Sequence, residues 1–316
     1  MCLPSRAQLR SSRKRSANSV LHILKNMFGG IEAGGTKFIC GVGTGPDDIR
    51  IQQFPTSTPA VTLQGVIRFF RECAPKIERI GIASFGPVDL HVESPTYGFI
   101  TSTPKEGWKN FDLAGAVRSG LQVPVVFDTD VNAALLAEAR WGAARGLTDA
   151  VYMTIGTGVG GGAMVRGQVI QGLVHPEMGH LRLPHDWQED PFSGNCPFHG
   201  DCLEGLASGP AIQARWGAVA TTLPPEHPAW ALEAKYLAYA LNNLAVTLSP
   251  QRILLGGGVM HQSQLYALIR GAFGEMVNNY VQHEELTQHL DRYIQPPALG
   301  GRAGVLGALV LAERGV

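Results

Sequence analysis

A chain of 316 residues that is 45% hydrophobic and 16% charged holds enough apolar material for one large or two medium cores. Its 26 basic and 26 acidic residues balance, but six basic side chains crowd residues 1–26, so the remainder is mildly acidic and carries no nucleic-acid signature. No apolar run suits a membrane span, no secretory core occupies the start, and five sparse cysteines argue against a disulfide framework, so a soluble cytoplasmic protein is expected.

The basic side chains at the start are Arg6, Arg10, Arg13, Lys14, Arg15 and Lys25, with no acidic partner among them. Residues 1–26 are therefore read as a disordered extension, with translation from Met27, a transit-like peptide or an anionic-surface arm as alternatives. From Phe28 to Val42 two short apolar strands flank Gly34-Gly35-Thr36-Lys37. Backbone N–H groups of such a turn can point at a phosphate, while Thr36 adds a hydroxyl and Lys37 a charge.

Alone, that turn is an ordinary glycine hairpin. A second one, Gly156-Thr157-Gly158, lies between β-prone segments at 150–155 and 163–165, and the pair suggests an internal duplication in which two domains pinch one phosphate chain. A third, Gly256-Gly257-Gly258, ends a strand and is expected to open a helix. Between the first two come a helix over 61–73, a strand over 79–84, a helix over 112–119 and a strand over 123–127, an α/β alternation.

Asp128-Thr129-Asp130-Val131-Asn132 then follows a strand and precedes a helix over 131–141 that Gly142 stops. Acids at the carboxyl end of a strand stand where α/β sheets bind ligands, and Asp130 is expected both to cap the helix and to accept a proton. A long apolar helix over 230–248 reads as core. An Ala/Gly-rich helix near the end, within 303–316, is expected to pack back on an N-terminal domain of 27–129, leaving 130–302 as a C-terminal domain.

Within that second part, Cys196-x-x-His199-x-x-Cys202 sets two thiolates and an imidazole in seven residues, with His180 upstream as a fourth ligand and His185 as its alternative. The donor set suits a structural, tetrahedral Zn2+ in a loop spanning 180–202. A polar surface loop or a Cys196–Cys202 disulfide is the plainer reading. Glu177 and Glu204 bracket the loop, and carboxylates held by a folded metal loop are suited to accept hydrogen bonds from a polyol.

H-P-E-M-G-H at His175 to His180, C-P-F-H-G-D-C-L-E-G-L-A-S-G-P-A at Cys196 to Ala211 and the glycine loops together resemble the ROK family of repressors and sugar kinases, and its bacterial fructokinases in particular. The resemblance runs from about Met27 to the C-terminus. It implies an actin/hexokinase-like (ribonuclease H-like) two-lobed ATPase fold, with a mixed five-stranded sheet in each lobe and an inserted zinc loop. It also implies an ATP-dependent kinase phosphorylating fructose at its 6-hydroxyl, with Mg2+ as cofactor, no nucleic acid or membrane partner, and a homodimer.

Carried over by position, the catalytic base is Asp130 and the sugar contacts are Asn132, Glu177, His180 and Glu204. The phosphate loops are Gly34, Gly35, Thr36 and Lys37, then Gly156, Thr157 and Gly158; adenosine contacts fall at Pro210, Gly257, Gly258, Val259, Met260 and His261. The zinc ligands are His180, Cys196, His199 and Cys202, and His199 in the third place favours fructose over glucose. No residue stands out as a Mg2+ ligand. Thr129 stands where the family usually has Asn, which leaves mannose, glucose or N-acetylmannosamine open as substrates. Outside catalysis, the alternative is a sugar-binding regulator, although only 26 residues precede the first strand.

Overall fold

The computed structural model describes residues 27–73, 77–103 and 105–315, so the basic segment 1–26 lies outside the described residues. The chain first forms β1 (Met27–Ala33), β2 (Lys37–Gly43), β3 (Arg50–Pro55), α1 (Pro59–Cys73), β4 (Ile77–Ser84) and the short pair β5 (Phe99–Ile100) and β6 (Phe111–Asp112). Next come α2 (Leu113–Leu121), β7 (Val125–Thr129), α3 (Asp130–Trp141), β8 (Ala150–Ile155), β9 (Val159–Val165) and β10 (Gln168–Val169). After the Cys/His segment follow α4 (Leu203–Ala207), α5 (Gly209–Trp216), α6 (Ala229–Leu248), β11 (Arg252–Gly256) and α7 (Gln264–Val277). Last are α8 (Glu284–Thr287), α9 (Leu290–Tyr293), β12 (Ile294–Gln295) and α10 (Ala303–Arg314).

Two five-stranded sheets share one plan. The first has the order β3-β2-β1-β4-β7 and the second β10-β9-β8-β11-β12. In each, three strands form an antiparallel meander and the remaining two join in parallel. The repeated glycine hairpins connect the corresponding strands, β1 to β2 and β8 to β9, which accounts for their equivalence in the sequence.

Helix periodicity decides what each sheet buries. In α1 the buried residues Thr62, Leu63, Val66, Phe69 and Phe70 fall on one stripe, which packs into the core of Ile31, Phe38, Ile80 and Trp108. The second core gathers Val151, Met153 and Leu255 under α6 and α7. The C-terminal α10 lies directly on β1, β4 and α3 because small residues let the backbones touch: a Cβ at Gly81 would sit 1.9 Å from Ala308 O, and one at Gly307 1.9 Å from Ala133 O.

Two local expectations change. Strand β7 runs on through Asp128 and Thr129, which pair with Ala83 and Ser84, so α3 starts directly at Asp130. The third glycine turn opens into a single 3-10 turn, Val259–His261, before α7 begins at Gln264. Among the described residues no helix is long and apolar enough to cross a membrane.

Candidate active site

At the end of β7 the chain turns straight into α3. Thr129 is the N-cap, its Oγ1 accepting from Asn132 N at 3.2 Å, so the capping expected of Asp130 falls to its neighbour. Asp130, one position on, has Oδ1 accepting from Val131 N at 2.9 Å. Burial raises its carboxyl from 3.8 to about 6, and the charge of Glu177 adds to the rise. Asp128, buried behind it, accepts from Thr129 N at 2.7 Å and from Asn132 Nδ2 at 2.8 Å. Burial pushes the Asp128 carboxyl up, against those two bonds. Asn132 is itself buried and gives its amide to Asp128, so it braces the acid-bearing turn from behind.

Asp130 faces a cavity of about 540 Å3 between the two sheets, which Lys37 and Glu32 also line. Gly257, Gly258, Met260 and His261 contribute to its far wall, with Val259 buried behind them. Gly257 adopts φ +94, and a Cβ there would lie 2.3 Å from Ile155 O, so this turn admits only glycine.

The two hairpins stand beside this space. In the first, Gly34 N donates to Lys37 O at 3.0 Å, and Gly35, Thr36 and Lys37 are exposed. In the second, Gly156 N donates to Gly158 O at 2.8 Å, and Thr157 is exposed. Gly209 N donates to Gly156 O at 2.8 Å, which brings Pro210, in the first turn of α5, up to this hairpin.

The loop between β10 and α4 brings together His180, Cys196, His199 and Cys202, whose ligand atoms all lie within 4.8 Å of one another. His180 Nδ1 is 3.5 Å from Cys202 Sγ and 3.8 Å from Cys196 Sγ, and His199 Nδ1 is 3.7 Å from Cys196 Sγ. Tetrahedral bonds of about 2.0–2.3 Å put neighbouring donors roughly 3.3–3.8 Å apart, so the spacing fits. His185 does not take part: its Nδ1 is 3.1 Å from Asp201 Oδ2 and its Nε2 2.9 Å from Asp190 O. Asp190, in turn, accepts from Tyr236 OH at 2.6 Å and Arg215 Nε at 3.1 Å, fastening the loop to α5 and α6.

Neither bracketing acid is among the residues lining the cavity; each instead contacts a residue outside it. Glu204 Oε2 accepts from Val159 N at 3.0 Å, tying α4 to the second hairpin. Glu177 is half-exposed, 3.6 Å from Nδ1 of the buried His175, whose Nε2 accepts from Val88 N at 3.2 Å. His175 thus links the turn after β4 to the segment carrying Glu177, a role visible in the sequence only as its place two residues before that acid. Glu32 has no motif signal beyond standing two residues before the first glycine hairpin. Its Oε2 is buried without a partner, and burial, with the Asp130 charge, raises its carboxyl to about 7 against the pull of Lys37.

Paired sheets of one topology, a hairpin from each at a shared cleft, and an inserted Cys/His loop define a two-lobed, hexokinase-like α/β protein. The model of the ROK family matches residues 28–315, and the chain belongs to that family. It is 42% identical to a fructokinase of Pediococcus pentosaceus, covering 91% of this chain and 98% of that one. Identity to a fructokinase of Zymomonas mobilis is also 42%, over 91% and 97%. In structure it is similar to a ROK family glucokinase from Streptomyces griseus, solved with glucose and AMPPNP, with TM-score 0.70 at 25% identity over 92% and 100% of the two chains.

Proposed function

We propose that the protein transfers the γ-phosphoryl group of ATP to the 6-hydroxyl of D-fructose, with Asp130 as general base. The observation that carries the base assignment is Asp130 at the start of α3, on the wall of a cleft shared with Lys37 and the Gly257-Gly258 turn, its carboxyl raised to about 6. A sugar hydroxyl attacks only if its proton is accepted as the new bond forms. A carboxyl of this pKa is ionised at neutral pH yet more basic than an ordinary aspartate, and such catalysis contributes about 10²–10⁴-fold. High identity to fructokinases over nine-tenths of the chain supports fructose as the acceptor.

Glu177 and Glu204 accept from sugar hydroxyls. His180 turns Nδ1 to the thiols and leaves Nε2 for the sugar, while Asn132 acts from behind through Asp128. Backbone N–H groups at Gly34 to Lys37 and at Gly156 to Gly158, with the Lys37 ammonium, hold the phosphates. Pro210 and the segment from Gly257 to His261 hold adenosine. His180, Cys196, His199 and Cys202 would hold Zn2+, whose contribution is to fix the loop. Glu32, with its orphaned buried oxygen, would hold the Mg2+ of the nucleotide, an ion that neutralises charge on the transferring phosphoryl.

In this reading residues 27–129 with α10 form one lobe and 130–302 the other. Cys40, Cys73, Cys196 and Cys202 are all free thiols, in keeping with the cytoplasm, and a homodimer follows from the family resemblance. A coupled ADP-release assay over fructose, mannose, glucose and N-acetylmannosamine tests the assignment. The expected result is the highest kcat/KM on fructose; a tenfold preference for another hexose, or ATP turnover indifferent to all four, overturns it.

A further inference from the structure

Glu138 is fully buried on α3, eight residues beyond Asp130 and roughly 12 Å along the same helix. Its Oε1 accepts from Leu299 N at 2.8 Å, and its Oε2 from Ala298 N at 3.0 Å and Ala143 N at 2.6 Å. The segment it grips, Pro296-Pro297-Ala298-Leu299-Gly300-Gly301, has no polar side chain with which to anchor itself. Yet Pro296, Pro297, Gly300 and Gly301 line the cleft opposite Lys37 and beside Gly257 and Gly258. Leu299 packs against apolar neighbours, but the hydrogen bonds of this wall can come only from its backbone, and one carboxylate accepts from both Ala298 N and Leu299 N.

We propose that Glu138 is a positioning residue that sets the nucleotide-side wall of the cleft relative to Asp130. The inference rests on the kinase reading above. A rigid helix carries the proton acceptor at its start and the clamp on the wall two turns later, so the distance between base and nucleotide is fixed by α3 itself. Beyond the wall, Gly304 touches Glu32, where a Cβ would lie 2.3 Å from its Cδ, so a shifted wall also moves the acid proposed to hold the cation. The carboxylate is needed because two adjacent N–H groups of the wall converge on it, and a neutral amide cannot accept as strongly from both.

The test is Glu138→Gln in the full chain, read by KM for ATP, KM for fructose, ADP affinity by calorimetry without sugar, and amide exchange at residues 298–301. Expected are a fivefold or greater rise in KM for ATP and in the ADP Kd, KM for fructose within twofold, and protection lost at 298–301 alone. Equal rises in both KM values, or activity that falls only with the folded fraction, overturn the proposal. Ala298→Pro, which deletes one donor and leaves Glu138 in place, is the second variant: it should raise the ADP Kd at least twofold, and an unchanged value overturns the proposal. A wild-type chain that phosphorylates no hexose sinks the kinase reading, while the ADP affinities of the two variants still decide the role of Glu138. Wild-type protein with no ADP affinity overturns both.

Discussion

The two glycine hairpins occupy equivalent places in two sheets of the same strand order, but they are held by different means. The first is fastened within its own lobe: Thr56 N donates to Thr36 O at 2.9 Å, and Thr56 Oγ1 to Gly34 O at 2.7 Å. The second is fastened by an insertion, through Glu204 Oε2 to Val159 N and Gly209 N to Gly156 O. Duplication alone yields a symmetric clamp of two hairpins. In the proposed kinase, the asymmetry that lets one lobe also present a sugar comes from the Cys/His loop and its flank, where Glu204 bonds the second hairpin while the first stays plain.

The largest break separates chemistry from this clamp. Asp130→Asn leaves both hairpins intact, so ADP affinity should stay within twofold while kcat falls about 10³-fold, within the usual range for a lost general base. Preserved turnover in a coupled assay would remove Asp130 from its role. The same residue predicts a pH profile. Because burial raises its folded pKa from 3.8 to about 6, the base form is present above that value and is lost as pH falls through it. The kcat/KM of the free enzyme should therefore drop about tenfold per unit below pH 6, whereas an ordinary aspartate would hold its rate to about pH 4.

Next in size is loss of the metal, which should act on one hairpin only. Cys202→Ser removes one ligand, and a strong chelator the ion itself, from a cluster whose two cysteines are buried and in which structural zinc typically contributes several kcal/mol. A loss of about 3–5 kcal/mol corresponds to a fall of roughly 5–8 °C in Tm for a chain of this size, with KM for sugar rising as Glu204 and Glu177 loosen. Metal content by mass spectrometry, with Tm before and after chelation, checks this. Zinc-free protein with unchanged Tm would make the cluster a set of plain thiols.

What the sequence made legible follows from the range of each interaction. Gly-Gly-Thr-Lys, Gly-Thr-Gly and Cys-x-x-His-x-x-Cys are local: turn and ligand chemistry is written in neighbouring residues, so the paired lobes and the Cys/His cluster could be anticipated. His180 and His185 are both near the cysteines in sequence, and only the tie of His185 to Asp190 and Asp201 separates them. The capping expected of Asp130 moved to Thr129 because pairing with Ala83 and Ser84 carries β7 two residues further than its apolar run suggests. Glu138 was silent because its wall partners lie 160 and 161 positions away. Glu32 and His175 were hidden for a similar reason: their roles depend on charges and backbone from other segments.

A narrower cut isolates the bridge between insertion and hairpin. Glu204→Gln keeps shape but weakens a charge-assisted bond to Val159 N, a contact in the class of about 1.5–3 kcal/mol. With its proposed sugar contact also weakened, KM for fructose should rise about tenfold and the ADP Kd only a few-fold, since Gly209 N still holds Gly156. Equal effects on both ligands would mean that Glu204 acts only through its bond to the second hairpin and contacts no sugar.

The smallest effect belongs to the first hairpin, and it sharpens the contrast because the insertion plays no part there. Thr56→Val removes the hydroxyl that bonds Gly34 O and keeps both the side-chain shape and the backbone bond from Thr56 N to Thr36 O. A single neutral hydrogen bond contributes about 1 kcal/mol net, or roughly fivefold in an equilibrium constant. ADP Kd should rise by at most that factor, KM for fructose should not move, and Tm should fall by only about 1–2 °C. Calorimetry with ADP alongside sugar kinetics decides it. If fructose KM rose as much as in Glu204→Gln, sugar and nucleotide would not be divided between the two hairpins, and the Cys/His insertion could not be the source of the asymmetry.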